Sequence, residues 1–319
     1  MFARRVALAA ALAATFACHA QNYPTKTVRI VVPFPAGGPT DTLARLVGQK
    51  LTESLGQTFV VDNRAGATGT IGTAMVAKAP PDGYTLLMSA TSNYVAAFLY
   101  RNLPYDPERD LAPLVQIATL PFYLVVHPSL PVRSVQELVK FAKARPGQLA
   151  FSSPGAGSGG HLVMAMFQAA TGIQLVHVPY KGAAPSITAL MGGEVALTWD
   201  TISTSHPHVV AGKLRGLAVS SAKRSPAVPS VPTAIEAGVP GFETYLWFGI
   251  FAPAGTPAPI LDKLNGEVNR ILGLADVKSR ITTLSGEISP NTPEQFRRFL
   301  EADTPKWKKI IADTGVRVN

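Results

Sequence analysis

Residues 27–89 alternate between short apolar runs rich in β-branched side chains and amphipathic stretches with helical spacing. The run at 27–33, TVRIVVP, is nearly continuous, which is typical of a parallel strand covered on both faces. After Asp41, leucines and valines recur at the spacing of one helix face. Strands are predicted again at 58–61 and 85–89. This β-α-β-α-β order predicts a parallel sheet with right-handed crossovers.

The middle of the chain repeats the same order. Strands are predicted at 122–127, 149–153, 175–178, 195–200 and 214–220, and helices at 135–144, 161–171 and 185–191. The last segment has one predicted strand, at 246–252, followed by helices, so we expect it to pack on the first unit. A chain of 319 residues is long enough for two cores. We predict two α/β lobes joined by two crossings, lobe 1 from residues 21–122 and 244–319 and lobe 2 from residues 123–243.

Residues 1–20 have the three parts of an export signal. Two arginines precede a twelve-residue apolar run at 6–17, which is too short to span a bilayer, and small residues follow. We predict cleavage before Gln21 and a periplasmic protein. Cys18 is the one cysteine of the chain and follows a small residue, which leaves a lipid anchor there as an alternative. The processed chain is expected to have no disulfide and no thiol chemistry.

The formal net charge of +9 raises the question of nucleic-acid binding. The basic residues are spread along the chain, and neither an aromatic-interleaved basic motif nor zinc-finger spacing occurs. Charged residues make up only 15% of the chain and hydrophobic residues 47%, which excludes a disordered protein. These features predict an exported globular protein with no nucleic-acid partner.

Three glycine-rich loops, at 34–41, 65–70 and 153–161, each follow a predicted strand and precede a helix. Ligands of open α/β sheets bind outside the carboxyl ends of the strands. A helix N-terminus offers unpaired N–H groups and about half a positive charge, and glycines let amides approach a ligand closely. No Asp or Glu occurs between Glu137 and Glu194, so the third loop has no local negative charge. We predict a site for a carboxylate, phosphate or sulfate; each loop alone also fits a simple tight turn.

A nucleotide cofactor is the first alternative to consider. Gly155, Gly157 and Gly160 match the G-x-G-x-x-G pattern of dinucleotide-binding loops. That motif also needs an acidic residue about 20 positions later to bind the ribose, and none occurs before Glu194. No P-loop sequence occurs either. We therefore predict no nucleotide cofactor.

A hydrolase is the second alternative. Ser158 lies in a sequence close to a nucleophile elbow, and Asp200 with His206 or His208 would complete the order Ser-Asp-His. However, an alanine replaces the first glycine of the elbow, and the acid and the histidines are too close in sequence for a separate histidine loop. Ser158 is better interpreted as a hydroxyl and N–H donor at a helix start.

The histidines give no metal-binding pattern. His206 and His208 flank a proline in a predicted loop, without acidic or cysteine ligands nearby. His161 and His177 are isolated in the sequence, and a lone histidine is more often a hydrogen-bonded structural residue. We predict no metal and no other cofactor.

Several longer strings occur in a fixed order along the chain. They are Tyr23-Pro24, IVVPFPAGG at 30–38, VDNRAGA at 61–67, PPDGYTLL at 80–87, FSSPG at 151–155, VPYKG at 178–182 and WFG at 247–249. In this order they resemble the tripartite tricarboxylate transporter substrate-binding receptors, the Bug-type periplasmic proteins. The resemblance covers essentially all of residues 22–319.

The resemblance implies a two-lobe periplasmic binding protein of type II, or Venus-flytrap, with a mainly parallel sheet in each lobe and two interlobe crossings. It implies closure on a small carboxylic acid, no enzymatic activity, and delivery by a monomer to the membrane permease of a tripartite tricarboxylate-type transporter. The first wall of the site would consist of Phe34, Ala36, Gly37, Asp41, Thr68 and Ser92. The opposing wall would consist of Ser153, Gly157, Ser158, Tyr180 and Asp200.

One loop departs from the family pattern. Residues 65–68 read AGAT, where the family commonly has a proline and a further glycine, so the hydroxyl of Thr68 is expected to alter which ligand fits. Asp200 is expected either to accept a hydrogen bond from the ligand or to cap a turn. The identity of the carboxylic acid stays open at this point, as do a secreted esterase-like hydrolase using Ser158 and a ligand-sensing receptor for a signalling partner.

Overall fold

A computed structural model describes residues 23–100 and 102–314, so the predicted export signal and Cys18 lie outside the described residues. Within those ranges the chain forms nine strands and eleven α-helices. The strands are β1 (Val28–Val32), β2 (Phe59–Asn63), β3 (Thr85–Ala90), β4 (Leu111–Val126), β5 (Ala150–Ser153), β6 (Val176–Pro179), β7 (Leu197–Thr201), β8 (Arg215–Val219) and β9 (Tyr245–Pro253). The helices are α1 (Pro39–Leu55), α2 (Thr70–Ala77), α3 (Thr91–Ala96), α4 (Pro107–Asp110), α5 (Val135–Lys143), α6 (Gly159–Thr171), α7 (Ala183–Met191), α8 (Ile202–Val210), α9 (Ala258–Leu272), α10 (Ala275–Thr283) and α11 (Pro293–Thr314).

The strands lie in the order β2-β1-β3-β9-β4-β7-β5-β6, and β8 pairs with β4 beside this path. β1 pairs in parallel with β2 and β3, so that Ile30 lies between Val61 and Leu86. β5 pairs in parallel with β6 and β7. The long strands β4 and β9 pair antiparallel with all their neighbours. Each lobe therefore has a mixed sheet, with its parallel strands at the outer edge.

The strand β4 runs through both lobes. Its residues from Leu111 to Pro121 pair with β9, and its residues from Phe122 to Val126 pair with β7. The chain returns at Tyr245, where β9 begins. We call β1–β3, β9 and the start of β4 the first sheet half, and the end of β4 with β5–β8 the second. The chain therefore crosses between the halves twice, once within β4 and once before β9. This is the two-lobe arrangement predicted from the sequence.

Both faces of each sheet half are covered by apolar side chains. In β1, Ile30 packs on one side with Leu86, whereas Val31 packs on the other side with Leu87. The same alternation holds in the second half, where Leu124 and Tyr123 belong to clusters on opposite faces. Successive side chains of a strand point to opposite faces, so burial on both faces requires a continuous apolar run. This explains the β-branched run from which β1 was predicted.

Two elements differ from the sequence prediction. The strand predicted at 122–127 corresponds to the end of the longer strand β4. The first part of β4 was not predicted, because it contains prolines at 113 and 121. Proline cannot donate to a strand ladder, and a register shift between Pro113 and Val115 accommodates one of them. Residues 206–208, predicted as a loop, lie in α8, where Pro207 removes a single backbone donor from the helix.

The last helix, α11, contacts both sheet halves. Phe296 packs in an apolar cluster of the first half, and Trp307 packs in a cluster of the second. Between them, Asp303 Oδ2 accepts hydrogen bonds from Trp247 Nε1 at 3.2 Å and from Trp307 Nε1 at 2.8 Å. Among the described residues, no helix combines the length and apolarity needed to cross a bilayer.

Candidate functional site

The loop after β1 is held by one buried carboxylate. Asp41, in the first turn of α1, accepts the Gly37 N–H at 2.9 Å and Arg45 Nε at 3.0 Å on Oδ2. Its Oδ1 accepts Asn63 Nδ2 at 2.9 Å, and the same amide group also donates to the Phe34 carbonyl at 3.1 Å. Both carboxylate oxygens are therefore engaged within the loop. Ala36 lies exposed at the tip of this turn, beside the N-terminus of α1.

Opposing influences act on the Asp41 carboxyl group. Burial raises its pKa. Hydrogen bonds from Arg45, Gly37 and Asn63 lower the pKa by more than burial raises it, so the pKa lies below the usual range. Asp41 is therefore ionised at neutral pH, and its charge is used to shape the loop. The carboxylate also places a negative group in the first turn of α1, where the helix dipole favours it.

The loop after β2 follows an unusual backbone path. Gly66, Ala67, Thr68 and Gly69 all have positive φ, with values of 137°, 46°, 53° and 89°. A Cβ at Gly69 would lie 2.6 Å from Asn93 Cβ and 3.2 Å from Pro33 Cβ, so only glycine fits there. The loop therefore packs directly against Pro33, at the end of β1. A non-glycine residue with positive φ is uncommon and strained, which makes the conformation of Thr68 a feature of this site.

Asn93 connects this loop to the end of β3. Its Nδ2 donates to Thr73 Oγ1 at 3.0 Å, and its Oδ1 accepts the Ala90 N–H at 2.7 Å. Ser92, next to it in α3, is half-buried. The segments that follow β1, β2 and β3 are thus neighbours at one edge of the first sheet half, the position where open α/β sheets bind ligands.

The loop after β5 carries the second set of predicted residues. Ser153 Oγ lies 2.6 Å from His177 Nε2 and accepts the Gly155 N–H at 3.2 Å. The Ser153 carbonyl accepts the Tyr180 N–H at 3.0 Å. The N–H of Gly157 donates to His161 Nδ1 at 3.0 Å. The two histidines, isolated in the sequence and expected to be hydrogen-bonded structural residues, both make such bonds, and their partners lie in this loop.

Ser158 occupies the N-cap position of α6. Its Oγ is buried and has no hydrogen-bond partner among the described residues. A buried hydroxyl without a partner is costly, and such a group in a native protein calls for a ligand or water. A Cβ at Gly160, in the first turn of the helix, would lie 2.6 Å from the Trp199 carbonyl oxygen. This glycine therefore lets α6 begin close against β7.

The two glycine-rich regions meet. Thr68 Oγ1 donates to the Ala156 carbonyl at 3.3 Å, which joins the loop after β2 in the first sheet half to the loop after β5 in the second. Thr68, Ser153, Gly157 and Ser158 therefore belong to one region of the molecule. The N-termini of α2 and α6 begin directly after these loops, and each contributes unpaired N–H groups.

The side chains of two predicted site residues have partners outside the facing loops. Tyr180 Oη donates to Glu194 Oε2 at 3.2 Å. Asp200 is buried, and its Oδ2 accepts Ser205 Oγ at 2.6 Å. Burial raises the pKa of Asp200 to about 6, although hydrogen bonds from Ser205 and Thr201 oppose the increase. Both residues are tied to their own lobe by these contacts.

A groove of about 700 Å³ lies elsewhere on the second sheet half and includes none of the predicted site residues. Two of its charged side chains, those of Arg215 and Glu236, are already engaged. Arg215 Nη1 donates to the carbonyls of Leu130 and Val132, and Glu236 Oε2 accepts Arg224 Nε. We therefore locate the candidate site at the facing loops, where helix N-termini and an unpartnered hydroxyl come together.

Sequence reasoning missed the residues that support the loops. These are Asn63, Asn93, His161 and His177. Asn63 had a usable signal, because it ends β2 at the same sheet edge as the first loop. His161 also had one, since a residue four positions after Gly157 lies one helical turn away. In the described part of the chain, no group of three or more His, Cys, Asp or Glu side chains is placed to hold a metal ion.

Comparison with known proteins places the chain in a family. The family model for the tripartite tricarboxylate transporter family receptor matches residues 43–316. Protein BugT of Bordetella pertussis is 38% identical over 301 residues, which are 94% of this chain and 92% of that protein. The structure of R. palustris Rpa4515 with adipate is 42% identical, with a TM-score of 0.85 over 92% of this chain and 99% of that chain. MatC from Rhodopseudomonas palustris with bound malate is 33% identical, with a TM-score of 0.82 over 91% of this chain and 100% of that chain.

These matches extend over nearly the whole chain and agree in family and in fold. They confirm both the family that the sequence strings predicted and the two-lobe periplasmic-binding-protein fold. The chain therefore belongs to the tripartite tricarboxylate transporter receptor family.

Proposed function

We propose that this protein captures a small carboxylic acid between the facing loops and delivers it to the membrane permease of a tripartite tricarboxylate-type transporter. The observation that carries the proposal is the meeting of Thr68 with Ala156, which brings the loop before α2 opposite the loop before α6. Helix N-termini supply N–H donors and positive dipole ends, and these favour a carboxylate. Two relatives support the ligand class, because their structures contain adipate and malate.

We assign the ligand contacts to both walls. On the first lobe, the ligand would contact Ala36, Gly37, Thr68 and Ser92, and Phe34 would border them. On the second lobe it would contact Gly157 and Ser158, and Ser158 Oγ would donate the hydrogen bond that has no partner in the described protein. Asp41 and Ser153 would act through the loops that they hold. Tyr180 and Asp200 would contribute only if closure frees them from Glu194 and Ser205.

A binding protein fits this site better than a hydrolase does. A serine nucleophile needs a base within hydrogen-bond reach, yet Ser158 Oγ has no such partner among the described residues. Asp200, the acid of the triad considered as an alternative, accepts a hydrogen bond from Ser205. We propose that the protein is not an enzyme, acts as a periplasmic monomer and uses no cofactor. Release to the permease would follow from opening of the two lobes.

Calorimetric titration of the purified mature protein with adipate and malate tests the function. We expect saturable binding with one ligand per chain and a thermal stabilisation that grows with the logarithm of ligand concentration. The neutral diamide of adipic acid is the matched control, since it keeps the length and loses the charge. Ligand-induced stabilisation by the diamide or by neutral sugars, but by no carboxylate, would refute an anion site.

Turnover of a carboxylic ester that disappears in Ser158→Ala would instead support the hydrolase. If Ser158 is instead a hydrogen-bond donor to the ligand, neither the wild type nor Ser158→Ala turns over the ester. The variant then only binds the carboxylate more weakly. Delivery is tested separately by reconstituting the permease with this protein in proteoliposomes. Uptake of the bound acid should depend on this protein, and uptake without it would contradict the delivery role.

A further inference from the structure

Two imidazole rings stack beneath the glycine-rich loop of the second lobe. The ring centroids of His161 and His177 are 3.8 Å apart, and the ring planes differ by 12°. Phe151 extends the stack, with its centroid 4.8 Å from that of His177. His161 lies in α6 and His177 in β6, so the stack fixes the start of the helix against the sheet.

Each ring holds one point of the loop. His161 Nδ1 accepts the Gly157 N–H at 3.0 Å, so this nitrogen carries no proton and the ring is neutral with its hydrogen on Nε2. His177 Nε2 lies 2.6 Å from Ser153 Oγ, which also accepts the Gly155 N–H. The two rings thus anchor both ends of the segment that leads to Ser158.

The place of His161 in the helix is informative. With Ser158 as the N-cap, His161 is the third residue of α6, and its side chain reaches back to a backbone N–H before the helix. In a capping box, glutamate or glutamine at this position accepts the N–H of the N-cap residue, whereas His161 accepts the N–H of the residue before it, Gly157. A glutamate at position 161 would place a full negative charge at the mouth of the site, whereas the neutral imidazole accepts the Gly157 N–H without a charge.

The surroundings keep both rings neutral. Burial, together with the neighbouring His177, lowers the pKa of His161 to about 4. Burial likewise lowers the pKa of His177 to about 4. The positive end of α6 is therefore neither cancelled by a carboxylate nor supplemented by a fixed imidazolium at neutral pH.

We infer that His161 is a positioning residue for anion binding: as an uncharged acceptor for the Gly157 N–H, backed by His177, it orients the second loop and leaves the field of the α6 N-terminus to the ligand. This inference rests on the proposed function, because it assumes an anionic ligand at these loops. If the inference holds, tight binding of the anion requires that the side chain at position 161 carry no charge, in addition to accepting a hydrogen bond.

Three variants separate the acceptor from its charge. His161→Gln keeps a neutral acceptor, His161→Glu keeps an acceptor and adds a charge, and His161→Leu removes the acceptor. With adipate as probe, we expect the affinity of the His161→Gln variant to stay within about threefold of the wild type. We expect the His161→Leu variant to bind adipate about tenfold more weakly. For Glu we expect on the order of tenfold weaker binding than for Gln, as for two unit charges several ångströms apart at an intermediate dielectric.

The Glu variant gives the decisive result. A glutamate in the first turn favours the helix, so a merely structural role predicts that Glu is as stable as Gln and binds equally well. His208→Glu on α8 is the matched control, because it makes the same change of charge on the same lobe, and we expect its affinity to stay within twofold of the wild type. Equal adipate affinities for Glu and Gln would overturn the inference.

A second measurement does not depend on the ligand. In the amide NMR spectrum of the free protein, the Gly157 resonance should shift and exchange faster with solvent in His161→Leu and should stay protected in His161→Gln. An unchanged Gly157 amide in the Leu variant would contradict the positioning role. The wild type could also fail to bind any carboxylate while the Gly157 amide behaves as expected. That result would refute the proposed function and the electrostatic part of this inference. His161 would then only support the loop.

Discussion

The hydroxyl of Thr68 donates a hydrogen bond to the carbonyl of Ala156 at 3.3 Å, although the two residues are 88 positions apart in the chain. Thr68 adopts a φ of 53°, which is strained for a β-branched residue. This backbone conformation directs the hydroxyl towards the second lobe, where it contacts Ala156. The contact is a direct bond between the two lobes at the candidate site, and its strength should influence closure.

Thr68→Val should therefore weaken ligand binding. The change removes the hydroxyl but keeps the β-branched shape, so both residues have the same backbone strain. Loss of one hydrogen bond of about 0.5–1.5 kcal/mol predicts a roughly two- to twelvefold loss of adipate affinity by calorimetry. Thr68→Ser keeps the hydroxyl and should stay close to the wild type. Equal affinity for the Val and Ser variants would show that the contact has no role in closure.

Asp41→Asn should destabilise the fold in a pH-dependent way. The pKa of Asp41 is lowered in the folded state, so its ionised form adds stability above the pKa of the unfolded chain, and this stability is lost as the pH falls. We expect a loss of about 1–3 kcal/mol in the free energy of unfolding at pH 7, measured in urea, and a smaller loss near pH 3.5. Asp262→Asn, at an exposed position of α9, is the control. A loss that is constant with pH would argue against the ionised network.

Asp200→Asn should have the opposite effect. The pKa of Asp200 is raised to about 6 in the folded state from 3.8, so the protonated form is favoured by folding. Stability from this group is present below pH 3.8 and is lost as the pH rises through 6. The neutral amide avoids that loss, so the variant should gain at most on the order of 3 kcal/mol over the wild type at pH 7.5 and nothing near pH 3. Destabilisation at pH 7.5 would indicate that the charge itself is needed.

The stacked histidines should make the fold sensitive to acid. Their pKa values are lowered to about 4 from 6.5, so the unfolded chain binds more protons in this interval. Stability from the pair is complete above pH 6.5 and is lost as the pH falls towards 4, by on the order of 3 kcal/mol for each ring at most. Unfolding measured from pH 7.5 to 4.5 should show a steeper loss for the wild type than for the double variant His161→Gln, His177→Gln. Parallel curves would contradict the shifted pKa values.

Local sequence patterns predicted most of the elements correctly. The β-branched run of β1 predicts a strand covered on both faces, and the glycines after it predict a turn into α1. The ordered strings predicted the family, which the comparisons confirm. Such features depend on side-chain periodicity and turn chemistry, which act over a few residues. The export signal and the individual ligand contacts stay predictions.

Other features were decided by tertiary structure. The start of β4 contains prolines that argue against a strand, yet pairing with β9 holds it in one. His161 and His177, isolated in the sequence, stack because α6 and β6 pack against each other. The sequence by itself therefore determined the α/β elements, their order and the family, whereas the three-dimensional fold decided which loops face each other. Pairing such as that of Thr68 with Ala156 depends on how distant segments pack, and no local pattern specifies it.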